Sequence, residues 1–177
     1  MFYQSESYSS EWQVRLGSGK ELISCLYVRD RYGLTPVVSP PIPPLAPEII
    51  RQPMESANRL IMEDQWSLWW AKRLAVEHAD PEGDELRRAV GLVSDEVRAW
   101  SSARYMEFMQ ISRVNNRNVK DLVQAMSQRS PLNLKVSCLP LSEKRAWRLS
   151  GTMAIVSYSF YADWAGYVDW LLRFPEQ

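Results

Sequence analysis

With 177 residues, 46% of them hydrophobic, the chain is long enough to bury a proper core as one domain of ordinary size, 1–177. Its 21 Lys and Arg balance 21 Asp and Glu, so no net charge draws it towards nucleic acid, anionic lipid or acidic substrates. No apolar run approaches the roughly 20 residues of a membrane-spanning helix, and residues 1–12 lack the basic and apolar regions of a secretory signal, so a cytoplasmic protein with no membrane partner is expected.

Cys25 and Cys138 lie far apart within apolar patterns and read as reduced, buried thiols. Eight tryptophans call either for bulky, rigid packing or for an aromatic surface reserved for a partner.

Residues 1–10 are polar with scattered aromatics and read as a flexible arm. Trp12, Val14 and Leu16 then alternate with Gln13 and Arg15, the period of a short strand, before Gly17-Ser18-Gly19 breaks it. Residues 20–32 admit a strand, but the helical reading is preferred. Leu22, Ile23, Leu26 and Tyr27 share a face, and Gly33 stands where a helix stops.

Residues 35–47 hold six of the eleven prolines and predict an extended, irregular segment. Val37, Val38, Ile42 and Leu45 argue that it lies against the body, although a proline-rich ligand for an aromatic groove is the functional alternative.

The centre is helical. From about Glu55 to His78, Trp66, Trp69, Trp70 and Leu74 cluster on one side, and Pro81 and Gly83 stop the run. A second helix is predicted from Asp84 to about Ile111, with Leu86, Val90, Val93, Val97 and Trp100 as its stripe, continued by Tyr105 and Phe108. The short turn between them predicts an antiparallel hairpin. After an Asn-rich turn, Val119, Leu122, Val123 and Met126 mark a third, shorter helix.

Leu132, Leu134, Val136 and Cys138 alternate with polar residues as a strand, Trp147 and Leu149 follow as a second run, and residues 152–160 as a third. The period then turns helical through Trp164, Tyr167, Val168 and Leu171, with Asp163 at the N-cap position. The fold class expected is α+β. A central helical hairpin and a third helix pack on a small C-terminal antiparallel sheet closed by a C-terminal helix, with Trp12–Leu16 available as a further strand.

Signs of chemistry are few. His78 is the sole histidine, too little for a zinc site or a catalytic triad, and no metal or cofactor is expected. Gly17-Ser18-Gly19-Lys20 resembles the end of a phosphate loop but lacks the earlier glycine, and Glu21 replaces the magnesium-binding hydroxyl. The acid pairs Glu63-Asp64, Asp84-Glu85 and Asp95-Glu96 diverge around their helices and read as solvated faces.

No catalytic residue emerges, and the function expected is a non-enzymatic protein-interaction module. Small bacterial and phage adaptors, chaperones and immunity proteins are of this kind. Such a protein grips a partner, or a second copy of itself, through an aromatic surface. Trp66, Trp69 and Trp70 are the candidate contacts, as three indoles on one helix are expected to leave one ring outside the core. The alternatives are an enzyme with a carboxylate- or cysteine-based site, and a nucleic-acid binder through Arg113, Asn116, Arg117 and Lys120. Charge balance argues against the latter.

Overall fold

The computed structural model describes residues 2–4, 12–76, 78–126 and 132–174. The fold is α+β. Its elements in chain order are β1 (Phe2–Gln4), β2 (Trp12–Gly17), α1 (Lys20–Tyr32), α2 (Ser56–Ala75), α3 (Asp84–Asn115), α4 (Val119–Met126), β3 (Leu132–Leu139), β4 (Ala146–Arg148), β5 (Met153–Ser157), α5 (Tyr158–Ala162) and α6 (Trp164–Arg173). The chain divides into two compact units, Gly19–Arg104 on the one hand and residues 1–18 with 105–177 on the other. The long helix α3 belongs to both.

In the Gly19–Arg104 unit, α1 is a helix and Gly33 ends it, as its sequence predicts. Gly33 sits at φ 61°, a conformation that costs glycine nothing. Its N–H donates to the Asp30 carbonyl while that of Leu34 donates to Arg29, the paired bonds of a Schellman stop. α2 ends at Ala75, three residues before the predicted His78, because Val76 is already extended and the Trp69 indole N–H reaches on to the Ala79 carbonyl at 2.9 Å. α3 then runs back along α2, with the Gln65 side chain accepting from the Leu86 N–H.

The proline-rich segment is tied down by polar bonds as well as by its buried Ile42 and Leu45. The Arg29 guanidinium, itself buried, donates to the carbonyls of Ile42 and Pro43 at 2.7 and 2.9 Å and to Asp30 at 2.7 Å. Asp30 in turn accepts from the Leu45 N–H at 2.7 Å. A segment that can form neither helix nor ladder thus has its backbone satisfied by one side-chain pair. Val37, expected on the body, is fully exposed.

The other unit is built on a five-stranded sheet of order β1-β2-β3-β5-β4. The predicted antiparallel sheet is corrected here: β2–β3 and β3–β5 are parallel, and only the outer pairs β1–β2 and β4–β5 are antiparallel. β5 folds back from β4 and inserts between it and β3. The predicted arm contributes β1, while residues 5–11 lie outside the described set.

Register aligns Val14 with Leu134, Leu16 with Val136, Val136 with Ala154 and Cys138 with Val156, so the even-numbered residues form one apolar face. Phe108, Leu122, Met126, Tyr158, Tyr161, Tyr167, Leu171 and Phe174 of the helical layer cover it. The predicted strand 152–160 is cut short at Ser157, whose buried hydroxyl accepts from the Phe160 and Arg145 N–H groups and so caps α5. Asp163 caps α6 as expected, accepting from the Gly166 N–H, and its carboxylate pairs with Lys144 at 2.8 Å.

Two outcomes follow from these polar ties. Arg29→Leu leaves Asp30 and two carbonyls without their cation, and urea unfolding is expected to show a loss of about 3–5 kcal/mol. Arg29→Lys, a point charge that cannot serve three acceptors, recovers only part of it. The hydrogen bond from Lys144, with the Gly166 N–H, holds the Asp163 carboxyl below its ordinary 3.8. A lowered folded value places its stabilisation above that pH and removes it as pH falls further. The melting temperature of Asp163→Asn is therefore expected to lie below wild type near neutrality and to converge with it in acid.

Candidate functional site

The tryptophans resolve first. Trp66, Trp69 and Trp70 are all core, none above 5% exposed, which corrects the expectation of one outward ring. Trp66 stacks on Trp70 with centroids 5.4 Å apart, its indole N–H donates to the Cys25 carbonyl at 2.7 Å, and the Arg73 guanidinium lies over Trp69. Positions 66, 69 and 70 span only about 100° of the helix, narrow enough for one buried face. Trp147 is buried as well, and Trp100, Trp164 and Trp170 are half-buried.

Several titratable groups are equally committed. Cys25 and Cys138 are free, buried thiols, and burial pushes both well above the ordinary 9.0. Asp84, Glu85 and Asp95 pair with Arg87, Arg88 and Arg98 on their own helix, Glu96 meets Tyr27 and Arg31, and Glu63 holds the N–H and hydroxyl of Thr35. His78 is exposed. Among the described residues no three His, Cys, Asp or Glu converge in a way that could hold a metal ion.

The largest concavity described lies wholly within the sheet-bearing unit. It is an open groove of about 780 Å³ formed by the C-terminal half of α3 and the end of β2, Leu16 to Ser18. That volume is in the range of ligand and peptide sites. Helical spacing makes it: Tyr105, Phe108, Met109, Ser112, Arg113 and Asn116 alternate steps of three and one residues and share a sector, with Met106 at its margin.

This stripe exists because α3 continues to Asn115, four residues beyond the predicted end at Ile111. The buried Asn115 amide donates to the Tyr161 carbonyl at 2.7 Å and holds the last turn onto α5. Phe108, expected as core, packs beside Tyr158 and Tyr161 at the inner margin. Tyr105, predicted to continue the core stripe, is instead 45% exposed, beside Met106 at 60% and Met109 at 44%.

Gln110 and Ser18 are polar members of the lining, and Ser112, Arg113 and Asn116 follow towards the end of α3. The Ser112 hydroxyl is sealed beneath the floor with no hydrogen-bond partner among the described residues, and so is the Asn116 Oδ1 atom. Arg113 is exposed and forms no ion pair or hydrogen bond among the described residues. Of the four residues expected for nucleic acid, Arg113 and Asn116 therefore line the groove, while Arg117 and Lys120 are exposed and do not. The signal that would have found the groove was the two methionines: Met106 and Met109 sit beside Tyr105 in a helix whose apolar quota was already filled.

A second, smaller hollow of about 300 Å³ lies in the Gly19–Arg104 unit near Tyr32, Asn58 and Leu92, flanked by the Glu85–Arg88 pair. The chain matches no family model, no curated protein and no solved structure.

The thiols give a direct check of the core assignment. Neither Cys25 nor Cys138 is expected to react with an aromatic disulfide reagent at pH 8 in the native protein, and both react on unfolding in urea; fast labelling of either without urea contradicts their burial.

Proposed function

We propose that the protein is a non-enzymatic interaction module that binds a partner protein along the Tyr105–Asn116 face of α3. The observation that carries this reading is the exposed Tyr105, Met106 and Met109 trio gathered along one groove. An exposed apolar trio is costly in water, and a partner surface that covers the groove removes that cost. Unbranched methionines adapt to irregular partners, which suits a binding surface more than a catalytic one. The partner surface thus shifts from the tryptophan cluster of α2 to α3, and the interaction role expected from the composition keeps its place.

Met106→Asp with Met109→Asp puts two charges into the groove while leaving the sheet core untouched. Affinity capture from the native extract is expected to retain a partner on wild type and to lose it on the double variant. Captured sets that do not differ between the two proteins contradict the reading.

A further inference from the structure

We propose that the partner seated on this groove is a second copy of the chain, docked about a two-fold axis at Met109 so that the Tyr105 ring of each copy lies against Arg113 of the other. This rests on the partner-binding role proposed above and names the partner.

Arg113 lacks a ring that two other helical arginines have. Arg73 stands four residues after Trp69 and Arg104 four after Trp100, and each guanidinium lies over the ring one turn back on its own helix, at 5.5 and 5.9 Å. Four residues before Arg113 stands Met109, which offers no ring. Arg113 is exposed with no ion pair among the described residues, and no Asp or Glu is among the residues that line the groove. Two turns back, Tyr105 is an exposed ring with no cation over it among the described residues.

The spacing makes this surface its own complement. Tyr105, Met109 and Arg113 follow at four-residue intervals and form one ridge with Met109 at its midpoint. Two helices that cross at about 50°, the commonest class, lay such ridges side by side. A two-fold axis permits two senses of pairing. In the reversed sense Met109 meets Met109 of the second copy, and the Tyr105–Arg113 contact forms twice. In the same sense Arg113 meets Arg113, and like charge disfavours it. Reversal sets the two guanidinium groups roughly 12 Å apart along the ridge, beyond the screening length of about 8 Å in physiological salt. Gln110 and Ser18, the remaining polar lining, each carry a donor and an acceptor, so an identical surface can serve them.

Other occupants leave part of the ridge unanswered. A nucleic-acid phosphate answers Arg113 and leaves Met106 and Met109 uncovered. An acidic segment of another protein answers Arg113 and brings no cation to Tyr105.

The test is sedimentation velocity of the full chain across about 1 to 100 μM, the weak end of the range for interfaces of standard size. Wild type is expected to dimerise and Met109→Asp, still folded by circular dichroism, to stay monomeric. Arg113→Gln and Tyr105→Leu each raise the dimer dissociation constant about tenfold, since symmetry removes two cation–ring contacts at once, whereas Tyr105→Phe keeps the ring and stays within about threefold of wild type. Mild oxidation reads the sense of pairing. Met109→Cys is expected to form a disulfide-linked dimer, because the axis brings the two positions within the limit of about 7 Å. Tyr105→Cys and Arg113→Cys cross-link when mixed and not alone, and the buried native thiols stay out of the reaction.

A wild type that is monomeric throughout the range overturns the self-pairing. The partner groove then stands if extract capture still separates wild type from the double aspartate variant, and falls if the captured sets match. A dimer that survives Met109→Asp overturns the proposal in favour of another face. Cross-linking of Tyr105→Cys alone overturns the reversed sense, and an unchanged dissociation constant in Arg113→Gln overturns the cation–ring contact.

Discussion

The hydrogen bond from the Asn115 side chain to the Tyr161 carbonyl is the contact on which the sheet-bearing unit turns. A buried amide and a buried carbonyl must each find a partner, and here they find one another, fixing the rotation of α3 about its axis against α5. Once that rotation is set, Phe108 is directed at Tyr158 and Tyr161, and the residues one sector round, Tyr105, Met109 and Arg113, are directed outward. The groove is the remainder of a helix that had to satisfy its core first. Ser112 lies at the border between the two faces and is satisfied by neither.

The Gly19–Arg104 unit solves a different problem with similar means. A proline-rich segment offers carbonyls but few donors, and the Arg29–Asp30 pair supplies both signs of hydrogen bond from adjacent positions on α1. The indoles of α2 act in the same way, since Trp66 and Trp69 each place a ring in the core and an N–H on a carbonyl, of Cys25 and Ala79. This accounts for two of the eight tryptophans without any surface role. Bulky rings that also satisfy irregular backbone suit a unit whose chain is regular in only three stretches.

Much of this was legible from side-chain periods. The even-numbered residues of residues 132–138 and 154–156 name the covered sheet face, Gly33 names a helix stop, and Asp163 names a helix start, all from local chemistry. Strand direction was not legible, because alternation reports which face a residue occupies and is silent about its neighbour. The insertion of β5 between β3 and β4 depends on register pairs such as Val136 with Ala154 that no local pattern encodes. The groove was half legible. Arg113 and Asn116 stood out as polar residues beside an Asn-rich turn, yet their company with Met106 and Met109 depends on four further residues of helix, and those depend on Asn115 reaching Tyr161.

The same logic separates the two candidate surfaces of the chain. Leu60, Ile61 and Leu68 on α2 are also exposed, but they line neither of the two hollows described. The α3 groove combines apolar exposure with an arginine that has no ion pair among the described residues, within one concavity. Site-specific photo-crosslinking in the producing cell separates them most directly, with a benzophenone side chain placed at Met109 in one protein and at Leu68 in another. The α3 account predicts a discrete protein adduct from position 109 and none from position 68; adducts from 68 alone, or from neither position, contradict it.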